Sequence, residues 1–415
     1  MWSLKNRLNV GTLKQGILVK VALYVHVPFC LQRCAYCDFN TYSDLLSLRA
    51  DYVAVLRQEM RRRAALFPVS EAPTLYFGGG TPSLLPPKWV GALIGDARQY
   101  FRLAADAEIT LEANPGTVDV ETLRALRSGG VNRLSLGVQS AHDDELRMLG
   151  RLHTWDGAVC AVEAARQAGF DNISVDLIYG LPGQTLARWE TTLARVVALE
   201  PQHLSLYALT LEPETPLAQA VDAGRLPAPD PDLAADMYEY ASEALCRAGY
   251  WQYEISNWAR GVSSPPAVWA LPPGGVTEAI GPWISRHNLV YWRNQSWLGL
   301  GAGAYSWFGG RRWSNPRHPV AYVRMGRAGY WPETDVEVIA PSLERGEILM
   351  LGLRLAEGVS DAQFRARFVV GLNEAYGDTL ARLSAAGLVE WDGVRLRLSA
   401  RGRLLGNQVF GAFLP

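Results

Sequence analysis

Three cysteines fall within eight residues, as Cys30-x3-Cys34-x2-Cys37 in the string VHVPFCLQRCAYCDF. Thiolates this close in one short loop can converge on a single metal centre. A [4Fe–4S] cluster ordinarily takes four cysteines, so three protein ligands leave one iron open to a non-protein ligand. Zinc is a competing reading, because Cys3His sites exist and His26 lies four residues before the first cysteine. Three unliganded structural thiols are another. The spacing, with the aromatic Tyr36 inside the loop, favours the cluster.

Other chemistry-bearing residues sit where strand-like runs end. Gly78-Gly79-Gly80-Thr81-Pro82 closes one such run. Consecutive glycines let the backbone approach a ligand closely, although a tight turn needs them equally. Glu112 (in TLEANPG) and Gln139 (in SLGVQS) close the next two, Asp176 lies in a further one (SVDLIYGLPGQT), and Arg151 follows the helix after Gln139. Any one of them can merely cap a helix. Their common placement is more telling, because the carboxyl ends of successive strands in a βα barrel form one ligand-binding mouth.

The elements that must hold these residues are legible as an alternation. The strand-like runs are 22–27, 74–79, 108–113, 132–138, 172–178 and 203–209, each short, rich in β-branched or aromatic residues and ended by Gly, Pro or Asn. Helical patterns such as DYVAVLRQEMRRRAAL and TWDGAVCAVEAARQAG separate them. Six βα units imply an α/β fold, a parallel sheet in a partial (β/α)6 barrel. The runs look apolar enough for a sheet buried on both faces. The expected division is an N-terminal extension (1–20), the barrel (21–258), a Pro/Gly/Ser-rich insertion read as a surface loop (259–285), and a C-terminal domain (286–415). In the last, helical patterns from about residue 340 precede an Asp392-Gly393 hairpin signal. That order suggests a small α+β, winged-helix-like domain with a packing role and no nucleic-acid role, since its candidate recognition helix has no basic cluster.

Composition narrows the class. The 415 residues are 49% apolar and 20% charged with formal net charge −1, ordinary for a soluble protein and without a field that draws it to nucleic acid. No run of 18 apolar residues suggests a membrane span, and the first twenty residues lack the continuous apolar core of a signal peptide. Five cysteines suit a reducing compartment better than a disulfide scaffold. Cys160 and Cys246, in helix-like stretches, are expected to be packed core thiols. The expected location is cytoplasmic, with peripheral membrane contact by residues 1–20 left open.

The cysteine loop resembles the signature of the radical S-adenosylmethionine superfamily. In that superfamily the open iron chelates the amino and carboxylate groups of the methionyl part, and one electron from the cluster breaks a carbon–sulfur bond. The strings YVHVPFCLQRCAYCDF, YFGGGTPSLL, LEANPGT, RLSLGVQS, DLIYGLPGQT, LYALTLEPETPL and YEISNWA resemble, in order, the branch containing oxygen-independent coproporphyrinogen III oxidases and HemW-like haem chaperones. The resemblance runs through residues 22–258 and resumes at 286. Carried over by position, it implies that Tyr24, Gly79, Gly80, Thr81, Glu112, Gln139, Arg151 and Asp176 contact S-adenosylmethionine, with Tyr36 near the adenine.

Within that branch two features favour the chaperone over the oxidase. The oxidase pattern carries a fourth cysteine where this chain has Phe39, and a longer N-terminal extension than the twenty residues here. The string His287-Asn288-Leu289-Val290-Tyr291-Trp292 resembles the H-N-x-x-Y-W motif of the chaperones. Imidazole is a common axial ligand of haem iron, so His287 is a candidate haem ligand; a hydrogen-bonded core histidine is the alternative. Trp258, Trp297, Tyr305 and Trp307 are read mainly as core. One departure from the family is the stretch 259–284, which separates segments that are almost contiguous in relatives. The resemblance thus implies a haem-delivering protein with a [4Fe–4S] cluster and S-adenosylmethionine. Its expected partners are haem, apo-haemoproteins (membrane respiratory ones among them), an electron donor and a second copy of the chain.

Overall fold

The computed structural model describes residues 19–271 and 280–415. Residues 1–18 of the expected extension and 272–279 of the expected insertion lie outside the described residues. The short strand β1 (Val19–Lys20) is followed by the six expected strands: β2 (Ala22–Val27), β3 (Val69–Gly79), β4 (Leu103–Ala113), β5 (Arg133–Gln139), β6 (Ile173–Tyr179) and β7 (His203–Ala208). Each pairs in parallel with the next, in chain order. β3 and β4 begin five residues before the apolar runs that announced them.

The sheet does not end with the sixth unit. β8 (Tyr250–Glu254) and β9 (Asn257–Arg260) form an antiparallel hairpin on β7. β10 (Trp297–Leu300) lies parallel to β2 at the opposite edge and carries β11 (Tyr305–Phe308), β12 (Arg311–Ser314) and β13 (Thr334–Val338) antiparallel beyond it. Residues 297–338, expected to belong with the C-terminal domain, therefore complete the first sheet. Gly299 makes this possible: a Cβ there would strike the Tyr305 carbonyl oxygen, so only glycine lets β10 and its return strand close.

The apolar core lies between the sheet and the outer helices, where Leu75, Leu111, Leu134, Leu136, Val175 and Leu204 are buried. The other face is buried too, as expected of the sheet, but it is polar rather than apolar. Alternation turns Thr74, Tyr76, Glu112, Ser135, Ser174, Asp176 and His203 inward, where Tyr76 bonds Glu112, Ser135 bonds Asp176, Ser174 bonds His203 and Thr74 bonds His287. Arg133 is also buried, at 2% exposure.

The helix Arg286–Trp292, capped by Ser285 Oγ accepting from Asn288 N, packs against the first half of β3. The segment expected as a surface loop is partly core. Its first two residues end β9, while Ile280 and Ile284 pack with Trp251, Tyr253 and Leu289. Trp269 donates to the Leu398 carbonyl of the C-terminal domain.

That domain runs helix Pro341–Gly352, β14 (Val359–Ser360), helices Asp361–Phe368 and Leu372–Ala385, then β15 (Val389–Trp391) and β16 (Arg395–Leu398). Its strands pair in the order β14-β16-β15, the hairpin turning at Asp392-Gly393 as expected. It has its own core around Leu349, Phe364, Leu380, Leu396 and Phe410. The fold is a partial barrel with a winged-helix-like C-terminal domain. Cys160 is exposed and Cys246 only half-buried, so neither is the packed core thiol expected.

Candidate active site at the barrel mouth

The cysteine loop leaves β2 and is tied at both ends. Cys30 N donates to the Tyr42 carbonyl and Tyr42 N to that of Pro28, at 3.0 and 2.8 Å. Ala35 N donates to the Leu149 carbonyl, fixing the loop's middle to the next layer. Gly80 passes under the loop so closely that a Cβ would lie 2.6 Å from the Phe29 carbonyl oxygen. The glycine run thus serves the loop as well as the cavity above it.

A cavity of about 420 Å³ opens at the carboxyl ends of the strands. Cys30, Cys34, Cys37, Tyr36, Gly79, Gly80, Thr81, Glu112, Gln139, Arg151 and Asp176 all line it, eleven of the thirteen residues singled out. The three thiols share this cavity, yet no three His, Cys, Asp or Glu side chains among the described residues close on a point that one metal ion would occupy. Burial raises the Cys30 and Cys37 thiols, and hydrogen bonds from Thr81 and Thr41 oppose it. Arg151 Nη1 stands 3.3 Å from Cys34 Sγ.

The other polar groups are held from behind. Glu112 accepts from Tyr76 Oη at 2.7 Å and from Gly79 N at 3.1 Å. Burial, with the Asp176 charge adding, pushes its carboxyl up to about 7 against those hydrogen bonds. Asp176 accepts from Ser135 Oγ at 3.0 Å and is also raised, chiefly by burial. Asn114 joins two strand ends: it donates to Thr81 Oγ1 at 2.9 Å and accepts from Arg151 Nη2. Gln139 sits at φ 70°, left-handed backbone that a non-glycine residue adopts at a cost. Its Oε1 is buried without a hydrogen-bond partner among the described residues, although the residue lines the cavity.

Asn114, Ser135 and Tyr76 were missed from sequence. The period-two alternation that places Glu112 and Asp176 inward marks Ser135 and Tyr76 too, because they occupy the same face. Asn114 stood within LEANPGT without a reason to choose it.

Tyr24 and His287 do not reach the cavity. Tyr24 lies beneath Gly78, donating to His26 Nδ1 at 3.0 Å, while His26 Nε2 donates to the Asn40 carbonyl. His287 is 1% exposed inside the barrel. Its Nδ1 is 2.8 Å from Thr74 Oγ1 and its Nε2 2.9 Å from Tyr291 Oη, and the ring stacks on Tyr76. Burial, helped by the Arg133 charge, lowers it to about 3, so the ring is neutral. Both ring nitrogens are engaged, which is the arrangement of a hydrogen-bonded core histidine, the alternative to an axial ligand. Of the aromatics nearby, Trp258 and Trp307 are core, whereas Tyr305 is 50% exposed.

The radical SAM superfamily model matches residues 24–196, and the HemN C-terminal domain model matches residues 345–405. The chain is 35% identical to the haem chaperone HemW of Bacillus subtilis, over 94% of this chain and 98% of that one. It is 36% identical to HemW of Mycobacterium tuberculosis, over 94% of each. It is 38% identical to mouse mitochondrial radical S-adenosyl methionine domain-containing protein 1, over 80% of this chain and 68% of that one. Among solved structures, coproporphyrinogen III oxidase (HemN) of Escherichia coli superposes with TM-score 0.80 at 26% identity, covering 95% of this chain and 90% of that one.

Proposed function

Because the chain belongs to the HemW haem-chaperone family of the radical SAM superfamily, we propose that it binds haem and delivers it to apo-haemoproteins, membrane respiratory ones included. In this reading Cys30, Cys34 and Cys37 hold a [4Fe–4S] cluster whose open iron takes S-adenosylmethionine. The bound cluster supplies single-electron chemistry, for which a separate electron donor is needed. Thr81, Gly79 and Gly80 lie against the methionyl part and Glu112 opposes its ammonium. Gln139, Arg151 and Asp176 bind the remaining polar groups, and Tyr36 covers the adenine. Arg151, beside Cys34, offsets the negative charge that thiolates bring to the loop. Cluster and S-adenosylmethionine serve assembly, dimerisation or regulation rather than porphyrin chemistry, and the protein works in the cytoplasm. Among the described residues no helix is long and apolar enough to cross a membrane.

The observation that carries the chaperone reading over the oxidase one is Phe39. It lines the cavity beside Cys37, 63% exposed, where the oxidase pattern has a fourth cysteine. The test is anaerobic cluster reconstitution, followed by haem in one sample and by coproporphyrinogen III with S-adenosylmethionine and a one-electron reductant in another. Stoichiometric haem binding without decarboxylated product is expected; formation of protoporphyrinogen would overturn the reading in favour of the oxidase.

A further inference from the structure

The haem role needs a site. His287 is sealed inside the barrel, and the mouth is taken by the cysteine loop and its polar partners. A second cavity, of about 530 Å³, lies where the end of the helix Arg286–Trp292 meets the C-terminal domain. That size falls in the range of small-molecule sites. Its apolar wall includes Trp292, Phe364 and Phe368, and its charged lining is Arg293, Arg367, Arg395 and Glu357.

Three guanidinium groups and one carboxylate leave this lining at net +2. Arg293 pairs with Glu357 at 2.9 Å, and Arg367 pairs with Glu344, which lies outside the lining. The Arg395 guanidinium has no carboxylate partner among the described residues; it donates to the Glu357 carbonyl, at 2.8 Å. Aromatic side chains beside guanidinium forks suit a flat apolar ring bearing carboxylates, because rings stack on both and a fork binds carboxylate in two parallel hydrogen bonds. No His, Cys, Met or Tyr is among the residues lining this cavity.

Resting on the haem-chaperone reading, we infer that this inter-domain cleft is the haem site, holding the porphyrin ring and its propionates without ligating the iron. Trp292, the last residue of the His287 motif, reaches the ligand; His287 only braces the helix beneath it. An iron left unligated by the carrier is open to the axial ligands of the acceptor, which favours hand-over.

The test uses the full chain, titrated with haem, metal-free protoporphyrin IX and protoporphyrin IX dimethyl ester. Haem and protoporphyrin are expected to bind within about threefold of each other, and the ester at least tenfold more weakly. Arg395→Glu, and Gln363→Trp at an exposed helix position on the cleft, should each weaken haem at least tenfold with unchanged far-UV circular dichroism. His287→Gln should keep the wild-type haem spectrum and affinity. If wild type binds haem but both cleft variants bind equally well, or the ester binds as tightly as the acid, the cleft is not the site. Loss of haem by a folded His287→Gln would overturn the inference by returning the ligand to the barrel. If wild type binds neither haem nor protoporphyrin, the chaperone reading itself fails.

Discussion

Glu112 and His287 lean on the same barrel interior with opposite consequences. For Glu112, a folded value of about 7 against an ordinary 4.5 means that the folded chain keeps a proton the unfolded chain releases. Its contribution to stability is therefore full below pH 4.5 and is lost as pH rises to 7, by at most about 3 kcal/mol at ~1.4 kcal/mol per unit. Glu112→Gln is expected to flatten this decline in urea unfolding series from pH 5 to 8; an unchanged slope would show that the proton sits elsewhere. His287, lowered to about 3, works the other way. The unfolded chain takes up a proton below 6.5 that the folded ring refuses, so stability is full above 6.5 and falls toward pH 3. His287→Gln should reduce that acid loss while costing about 1–3 kcal/mol at pH 7, because Thr74 and Tyr291 each lose a buried partner.

Among elements, the end of β5 stores strain where the ligand is expected. Gln139, which lines the cavity, holds φ 70°. Gln139→Gly should be more stable than Gln139→Ala by about 1 kcal/mol, since only glycine adopts that backbone freely. Both should weaken S-adenosylmethionine equally if the side chain is what binds it. Thermal unfolding with and without the ligand separates the two effects. At the other edge, Gly299→Ala should cost several kcal/mol by breaking the β10–β11 return, seen as loss of cooperative unfolding or of soluble protein. The strands β2 to β7 were legible because each is a local apolar run ended by a breaker. β10 was not: its neighbour β2 lies at the far end of the chain, and four residues of Trp-Leu-Gly-Leu carry no record of what they pair with.

Over the whole molecule, the two domains are joined by buried charge as well as apolar contact. Glu254, fully buried at the end of β8, has Arg354 Nη2 3.5 Å from its Oε2, and Arg354 stacks on Trp292 beside the proposed cleft. Glu254 Oε1 accepts from Ser256 N at 2.9 Å. Arg354→Met should destabilise the protein by about 3–5 kcal/mol, because it leaves a buried carboxylate without its cation. Adding Glu254→Gln should recover a large part of that loss, and a double-mutant cycle in denaturant checks the coupling. The stretch 259–285 also belongs to this joint. Its Pro- and Gly-rich composition concealed the fact, since a few anchors such as Trp269, Ile280 and Ile284 leave no period to read.

Sequence alone determined the cysteine loop, the order of the barrel strands and the polar residues at their ends. These are short-range matters of spacing, alternation and turn chemistry, and the resemblance to a known branch followed from the same strings. Tertiary structure decided which of the residues meet. It brought eleven of them to one cavity, supplied Asn114, Ser135 and Tyr76 behind them, and closed His287 inside the barrel with both nitrogens engaged. Burial and partners across distant strands are collective properties of the packed chain, so the imidazole that looked most like a ligand in the sequence is, in the fold, a brace for the helix that ends in Trp292.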